Sequence, residues 1–443
     1  MHLCLFEDDR APALYPLTRT RATYDLRLGR RTLLQTTREA FGERAADIDA
    51  TLLHARPLLR SVTAAENDLD TPEHLPDGAD VLFVNGRFVA AAGDALDAIR
   101  EGVRAGEPRA FLAHEGERPT LVAAFVPSRA TADLPPGPLA RSALTPAAFA
   151  ELPETTLPDA PLVSGLPDLL GALEPALRRD FAAHAGGPDE REPAGADRSD
   201  GARLVAGERV YVAPGATVRP GAVVSGADGP VYIGEHATIM ENAVVRGPVY
   251  VGPQCEVKPQ AHIEASALGF YCKVGGEVEG SVVHSLSNKA HGGFVGDSYL
   301  GRWCNLGAGT ITSNLKNDYG EVSVWNGATG EVEGSGRPFA GLFMGDHAKC
   351  GIGTCFNTGT VVDVFANLFD PEGFPPRYVP PFSWGRPRDG FGEDGFTPYR
   401  LEKALRVAEA VMARRDRTLS EAQRRVLAAV AEGRRGGGGE GSL

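Results

Sequence analysis

The stretch Ser287 to Asn314, SNKAHGGFVGDSYLGRWCNLGAGTITSN, holds the residues best suited to chemistry. His291 stands beside Gly292 and Gly293, which let a ligand approach the backbone closely. An unperturbed imidazole titrates at about 6.5, near working pH, so it can take a proton from an attacking nucleophile. The other reading of His291 is a polar turn residue. Two lysines lie nearby, Lys273 and Lys289, and either could meet a phosphate. Of 45 basic residues in the chain only six are lysines, and five of these fall between Lys258 and Lys349. Ammonium and guanidinium are not interchangeable at a tight site, so the clustering points to a site that needs lysine, unless it is local compositional drift.

The elements that hold this stretch follow a period of six. Val212, Val218 and Val224 recur at that spacing, and after a short insertion Ile233, Ile239, Val245, Val251, Val257 and Ile263 keep it. Leu300 and Leu306, then Met344, Cys350, Phe356 and Val362, resume it, with Ala348, Thr354 and Thr360 in a small-residue place. Six matches neither a helix nor a hairpin strand. It predicts a parallel β-helix with one short strand per face and three hexapeptides per coil, the apolar residues pointing inward. The beat fails between Ser266 and Phe294 and again between Asn314 and Met344. Breaks in a consistent pattern often mark function. The second break is a long excursion that covers a site, reaches a neighbouring subunit, or only decorates the surface.

Residues 1–184 read as an α/β domain with its connecting helix. Apolar runs at 2–6, 81–89 and 121–126 alternate with helical patterns near 30–41 and 94–104, which predicts a mostly parallel sheet. A further helical pattern occupies 160–185. Residues 185–203 have the Gly, Pro and acid content of a linker. The β-helix is expected over 204–385, ending in a proline-rich segment, FPPRYVPPFSWG, too poor in amide donors for a strand ladder. C-terminal helices follow over 386–434, the second opened by a capping box at Ser420 and Gln423, packing on the solenoid end or on a neighbouring subunit. The tail, 435–443, is expected to be disordered.

Composition narrows the function. The chain has 443 residues, 42% hydrophobic, and a net charge of −13. That charge argues against binding nucleic acid, whose phosphates need a basic surface. No run of about 18 apolar residues exists, so no membrane span is expected. The N-terminus lacks the basic end and long apolar run of a secretory signal. Six scattered cysteines without C-x-x-C spacing read as reduced thiols of a cytoplasmic protein.

HGGFVGDSYLG (291–301) followed by NLGAGTITSN (305–314) resembles the acetyltransferase half of the bifunctional N-acetylglucosamine-1-phosphate uridyltransferase/glucosamine-1-phosphate acetyltransferase family. The resemblance implies a left-handed β-helix, a homotrimer, and coenzyme A between β-helices. It implies that His291 is the base taking a proton from the sugar amine as nitrogen attacks the thioester of acetyl-CoA. It places the Ala308 backbone N–H at the acyl carbonyl, Asn314 and Leu315 at coenzyme A, and Asn305 at the sugar. Phe294 stands where the family has a substrate-binding tyrosine, and Asp346 where it has a serine near coenzyme A. Lys273 and Lys289 are the candidates for the sugar phosphate. The four histidines His262, His284, His291 and His347 lack the close pair, five residues apart, of the zinc-binding β-helices.

The first half is similar to sugar-1-phosphate nucleotidyltransferases through LYPLT (14–18) and VLFVNGRF (81–88). That similarity implies magnesium and a nucleotide. The glycine-rich loop is replaced by FEDDR (6–10), however, and Arg87 stands where the family has a metal-binding aspartate. Arg10, Arg19 and Arg21 are the cations left to meet phosphates, and the metal ligand is not evident. Two functions follow: a sugar-nucleotide enzyme transferring an acyl group to an amino-sugar 1-phosphate, with nucleotidyl transfer by the first half; or a non-catalytic trimeric scaffold or ligand sensor with a degenerate first domain.

Overall fold

The structure, a computed structural model, describes residues 1–42, 48–75, 78–91, 93–133, 138–184, 197–369, 373–387 and 395–435. Most of the expected linker and the glycine-rich tail lie outside the described residues.

The first domain is one sheet with helices around it. Its strands are β1 (His2–Phe6), β2 (Ala50–His54), β3 (Val81–Asn85), β4 (Arg109–Glu115), β5 (Arg118–Val126) and β6 (Glu154–Thr156), in the order β2-β1-β3-β5-β4-β6. β2, β1 and β3 run parallel, as alternation with helices demands. The sheet as a whole is mixed, because β5 runs antiparallel to β3 and forms a hairpin with β4. The apolar run 121–126 is therefore the return arm of a hairpin, which a two-residue turn permits and a crossover helix does not. Helices α1 (Leu33–Gly42), α2 (Arg60–Asn67), α3 (Asp94–Ala105), α4 (Leu166–Gly171) and α5 (Leu173–His184) surround it.

From Asp197 the chain winds into a parallel β-helix with three faces. Face 1 carries the column Val210–Val212, Val231–Ile233, Val249–Val251 and onward; face 2 carries Thr217–Val218, Thr238–Ile239, Glu256–Val257; face 3 carries Val223–Ser225, Val244–Arg246, His262–Glu264. The strands at Asp197–Arg198 and Arg203–Val205 already belong to faces 2 and 3, so the solenoid begins inside the segment read as linker. The six-residue beat fills its interior: Val218, Ile239, Val257 and Val274 on face 2 are fully buried.

Between Ser266 and Phe294 the beat is compressed rather than lost. Ile233 pairs with Val251, a full eighteen-residue coil, whereas Leu268 pairs with Val283 and Lys273 with Asn288, both fifteen apart. Shortened corners keep Leu268, Val274, Val278 and Val283 inside. The proline-rich segment also differs from expectation. Tyr378–Val379 extends face 1 against Val361–Val362. In that ladder Val361 N–H donates to Arg377 O (2.7 Å) and Asp363 N–H to Val379 O (2.9 Å). The prolines, which lack a donor, flank the paired residues at 375–376 and 380–381, so none interrupts the ladder.

The first domain lies against face 1. Outward-pointing residues that water would normally favour as polar are Tyr250, Ala267, Val282, Tyr299, Phe343 and Val361, all at most 7% exposed and continuous with the core of the first domain. Each large apolar side chain so covered contributes roughly 1.5–3 kcal/mol. Polar contacts set the register: the Tyr299 hydroxyl accepts from Arg27 N–H (2.9 Å), and Arg27 Nε donates to His284 O (3.2 Å). The excursion holds a hairpin, Ser323–Asn326 with Glu331–Gly334, whose Val322 and Val324 join the same core and whose Trp325 stacks on Tyr378 at 3.7 Å.

Helices α6 (Leu401–Ala413) and α7 (Glu421–Arg435) run along the corner between faces 1 and 2, not across the solenoid end. They bury Ala404, Ala408, Met412, Leu427 and Val430 against the corner residues Trp303, Phe365 and Phe382. Ser420 and Gln423 form the expected capping box, each donating a backbone N–H to the other's side chain (3.0 and 3.2 Å).

The interface contains a buried ion pair, Arg21 with Asp346, whose side chains are 1% and 9% exposed. Removing one partner of such a pair strands the other charge, at a cost of about 3–5 kcal/mol. Asp346→Ala should lower stability by that amount in chemical denaturation, and Arg21→Ala by a similar one. The double variant should fall well short of their sum, because the pair is a single coupled unit.

Candidate active site

His291 lies on the corner joining face 2 to face 3. On the coil below, Val274 pairs with Lys289 and Glu277 with Phe294, so two residues, Gly275 and Gly276, answer four, Ala290 to Gly293. The His291 turn has the ordinary four-residue length of this corner, as at 219–222, 240–243 and 307–310, whereas the coil below is two residues short, and the imidazole stands exposed on the longer turn. Gly293, at φ +115°, lies directly against the next coil, where a Cβ would come within 2.1 Å of Thr310 O. No side chain larger than hydrogen fits there.

That next coil carries Ala308 on the same corner. Gly309 N–H donates to Gly292 O at 3.0 Å, which ties the two turns together. The Ala308 N–H has no acceptor among the described residues, while its carbonyl accepts from Gly353 N–H at 2.8 Å. An exposed imidazole and a free amide donor on adjacent turns are the two groups that addition to a carbonyl needs: a base for the nucleophile and a donor for the oxyanion. Phe294 starts face 3 beside His291, and exposed Ile311 follows one coil on. At the far edge of face 3, Asn314 Nδ2 donates to Asp297 Oδ2 (2.8 Å) and Leu315 bridges to Phe339. Asn305 faces outward on face 2, its Oδ1 accepting from Asn288 Nδ2 at 3.3 Å.

Other expected site residues lie elsewhere. Lys273 pairs with Asn288 in register rather than standing one coil below His291, and its Nζ binds Glu256 at 2.8 Å. Lys289 points into the solenoid interior, 1% exposed, so it faces no phosphate. Asp346 lies on the corner between faces 1 and 2 under the first domain, accepting from Thr20 Oγ1 and Arg302 N–H (both 2.7 Å) besides its pair with Arg21. A buried, fully engaged carboxylate has no room for coenzyme A. Arg19 binds Asp363 at 2.7 Å. Arg19 and Arg21 therefore hold the β-helix, and the loop expected to meet nucleotide phosphates is an interdomain strut. Arg10 stays on the first domain, its backbone N–H bonded to Asp8 Oδ1 (3.2 Å).

The four histidines do not converge. His262 is on face 3 beside Glu264. His284 is on face 1 beneath the first domain, its Nε2 at 2.9 Å from Asp25 O; burial, reinforced by Arg21, Arg302 and Arg27, holds its pKa well below the ordinary value. His347 stacks between Trp303 and Phe365 on another corner, where burial pulls its pKa down to about 3. Among the described residues no group of three or more metal-ligating side chains comes together.

At the end of β3 a centre appears that only its arginine announced. Arg87 is fully buried and bonds Asp8 through Nε (3.0 Å) and Nη2 (2.6 Å), and Glu115 through Nη1 (3.0 Å) and Nη2 (2.8 Å). Asn85 and Thr120 add bonds to the two carboxylates (2.9 and 2.7 Å). A guanidinium thus occupies the place between the carboxylates, and both acids are already neutralised. These residues do not fit a magnesium ion, which would need those oxygens free.

The chain is similar to transferases. Residues 3–187 match the family model described as sugar nucleotidyl transferase. The bifunctional protein GlmU of Rippkaea orientalis is 33% identical over 109 residues, 24% of this chain and 23% of that protein. A bifunctional sugar-1-phosphate nucleotidylyltransferase/acetyltransferase of Sulfurisphaera tokodaii is 36% identical over 93 residues, 21% of this chain and 23% of that one. The chain thus matches under a quarter of the length of these curated relatives. Among solved structures, the UDP-N-acetylglucosamine acyltransferase of Francisella novicida aligns over 54% of this chain and 90% of its own, with 14% identity and a TM-score of 0.21.

Burial alone would raise the Glu115 pKa, but hydrogen bonds and charge from Arg87 bring it down to about 2, below the ordinary 4.5. A depressed carboxyl contributes stability above its unfolded pKa and loses it as pH falls through the folded one. Wild-type stability should therefore fall as pH drops from about 4.5 toward 2. In Arg87→Leu two buried acids lose their counter-ion, so stability should be lower at pH 7 and rise as they protonate. Denaturation midpoints across pH 2–8 check this reversal of sign.

Proposed function

We propose that this chain transfers an acyl group from acetyl-CoA to the amine of an amino-sugar 1-phosphate at the corner carrying His291, in the supply of a nucleotide sugar such as UDP-N-acetylglucosamine. The observation that carries the reading is the pairing of an exposed imidazole on a corner turn with the unpartnered Ala308 N–H on the turn above. Neutral His291 takes a proton from the amine as nitrogen bonds the thioester carbonyl carbon. The oxygen gains the electron pair and is met by the Ala308 N–H. The carbon–sulfur bond then breaks, and the coenzyme A thiolate recovers a proton from the imidazolium. Phe294 offers the acceptor an aromatic face without a hydroxyl, and Asn305 offers it an amide. Asn314 and Leu315, across face 3, are the candidates for coenzyme A.

In this reading the first domain serves as a dock. Its Arg19 and Arg21 are engaged with the β-helix, and Arg87 fills the space between Asp8 and Glu115. Those observations favour a nucleotidyltransferase-like domain without phosphoryl chemistry, and no step is routed through magnesium. Face 1 is covered by this domain. A homotrimer would therefore join through the remaining faces, and exposed Ile311 and Ile352 supply apolar surface near the site for a neighbouring copy. A cytoplasmic location agrees with thiols that form no disulfide among the described residues; among those residues no helix is long and apolar enough to cross a membrane.

The test uses acetyl-CoA with glucosamine 1-phosphate. His291→Ala should lower kcat about 10²–10⁴-fold, the usual contribution of a general base. KM for acetyl-CoA should change little. Unchanged turnover would remove the base from the mechanism.

A further inference from the structure

Lys289 has no ordinary structural reason to be where it is. Face 2 stacks inward side chains Val257, Val274, Lys289, Leu306 and Cys350 in successive coils, and Lys289 is the charged member of that apolar column. Moving an ammonium into such surroundings costs several kcal/mol unless a partner answers it. No carboxylate does so among the described residues. The titratable group facing it is the Cys350 thiol, which burial pushes up and keeps neutral. Nζ instead donates to two backbone carbonyls, Gly275 O at 2.9 Å and His291 O at 2.6 Å. Room for it is built in, for Gly276 sits at φ +70° with a would-be Cβ only 2.9 Å from Nζ. The ammonium thus ties the His291 turn to the coil beneath, from inside the solenoid.

We propose that Lys289 is a positioning residue that fixes the His291 turn by holding its carbonyl, so that the imidazole keeps one orientation beneath Ala308. This rests on the acyl-transfer reading above and adds what that reading lacks, since no side-chain hydrogen bond orients the His291 ring among the described residues. The four-residue turn contains two glycines and has no other side chain that could brace it. Backbone bonds hold Gly292 O (from Gly309 N–H, 3.0 Å) and Gly293 O (from Glu277 N–H, 3.0 Å), and the Lys289 ammonium holds the carbonyl of His291 itself without blocking the imidazole. Burial also pulls the Lys289 pKa down to about 8, so the charge that strengthens both bonds fades above that pH.

The test compares wild type, Lys289→Met and His291→Ala. Methionine fills the column with an apolar side chain of similar length, so Lys289→Met should fold with a denaturation midpoint equal to or above wild type. With acetyl-CoA and glucosamine 1-phosphate, Lys289→Met should lose at least tenfold in kcat with KM within about twofold. The decline in wild-type rate near pH 8 should be absent from it. Independently of turnover, histidine-selective NMR assigns the His291 ring by its loss in His291→Ala. That signal should split or broaden in Lys289→Met while that of His262 stays in place. A single unshifted His291 signal, or an unchanged kcat and pH profile in Lys289→Met, would overturn the strut. Turnover unaffected by His291→Ala would instead overturn the acyl-transfer reading, and the NMR comparison would still decide whether Lys289 holds the turn.

Discussion

The covering of face 1 by the first domain is the constraint from which the other features follow. A β-helix can spare one face only if the outward positions there are apolar and the covering partner supplies counter-charges for the acids at its edge. Tyr250, Tyr299, Phe343 and Val361 meet the first condition, and Arg19 and Arg21 the second through Asp363 and Asp346. Those arginines lie in the very segment, LYPLTRTR, that resembles a nucleotide-binding loop. Once their guanidinium groups are buried against carboxylates they are no longer free to meet a triphosphate. The ion pairs thus join the two halves and remove phosphate-binding groups from one of them.

Arg87 completes the same change from inside the domain. Where phosphoryl transfer needs acids that hold a metal, the chain places an arginine between them. The result is a saturated network: a guanidinium with Asp8 and Glu115, themselves bonded to Asn85 and Thr120. A centre so fully paired is a stable core and a poor place for chemistry. The corner at His291 has the opposite character, with an exposed ring, an unpartnered amide and a lysine held in an apolar column.

Much of this was legible in the residues. The spacing of Ile233, Ile239 and Val245 could mean only a solenoid, and the failure of that spacing before His291 reflects shortened corners in the coil below it. Ser420 and Gln423 announced their helix through a local hydrogen-bond pattern. The direction of Lys289 was also available, since Val283, Lys289 and Val295 keep the six-residue beat. An expectation that cations face phosphates concealed it. The middle tyrosines of VYV and VYI, outward on a face that should be polar, likewise hinted at a covering domain. What could not be read were the pairings of distant segments. Arg21 and Asp346 are separated by most of the chain, and nothing local to either announces the other. The antiparallel hairpin of β4 and β5 was hidden for a similar reason, because a buried apolar run looks the same in both directions.

The central claim is that acyl-transfer chemistry belongs to the β-helix corner and that the first domain has exchanged phosphate binding for docking. Calorimetric titration of the intact protein with acetyl-CoA and, separately, with uridine triphosphate plus magnesium tests both halves in one format. The account predicts saturable binding of acetyl-CoA and no measurable heat from the nucleotide. Saturable, magnesium-dependent nucleotide binding without acetyl-CoA binding would contradict it.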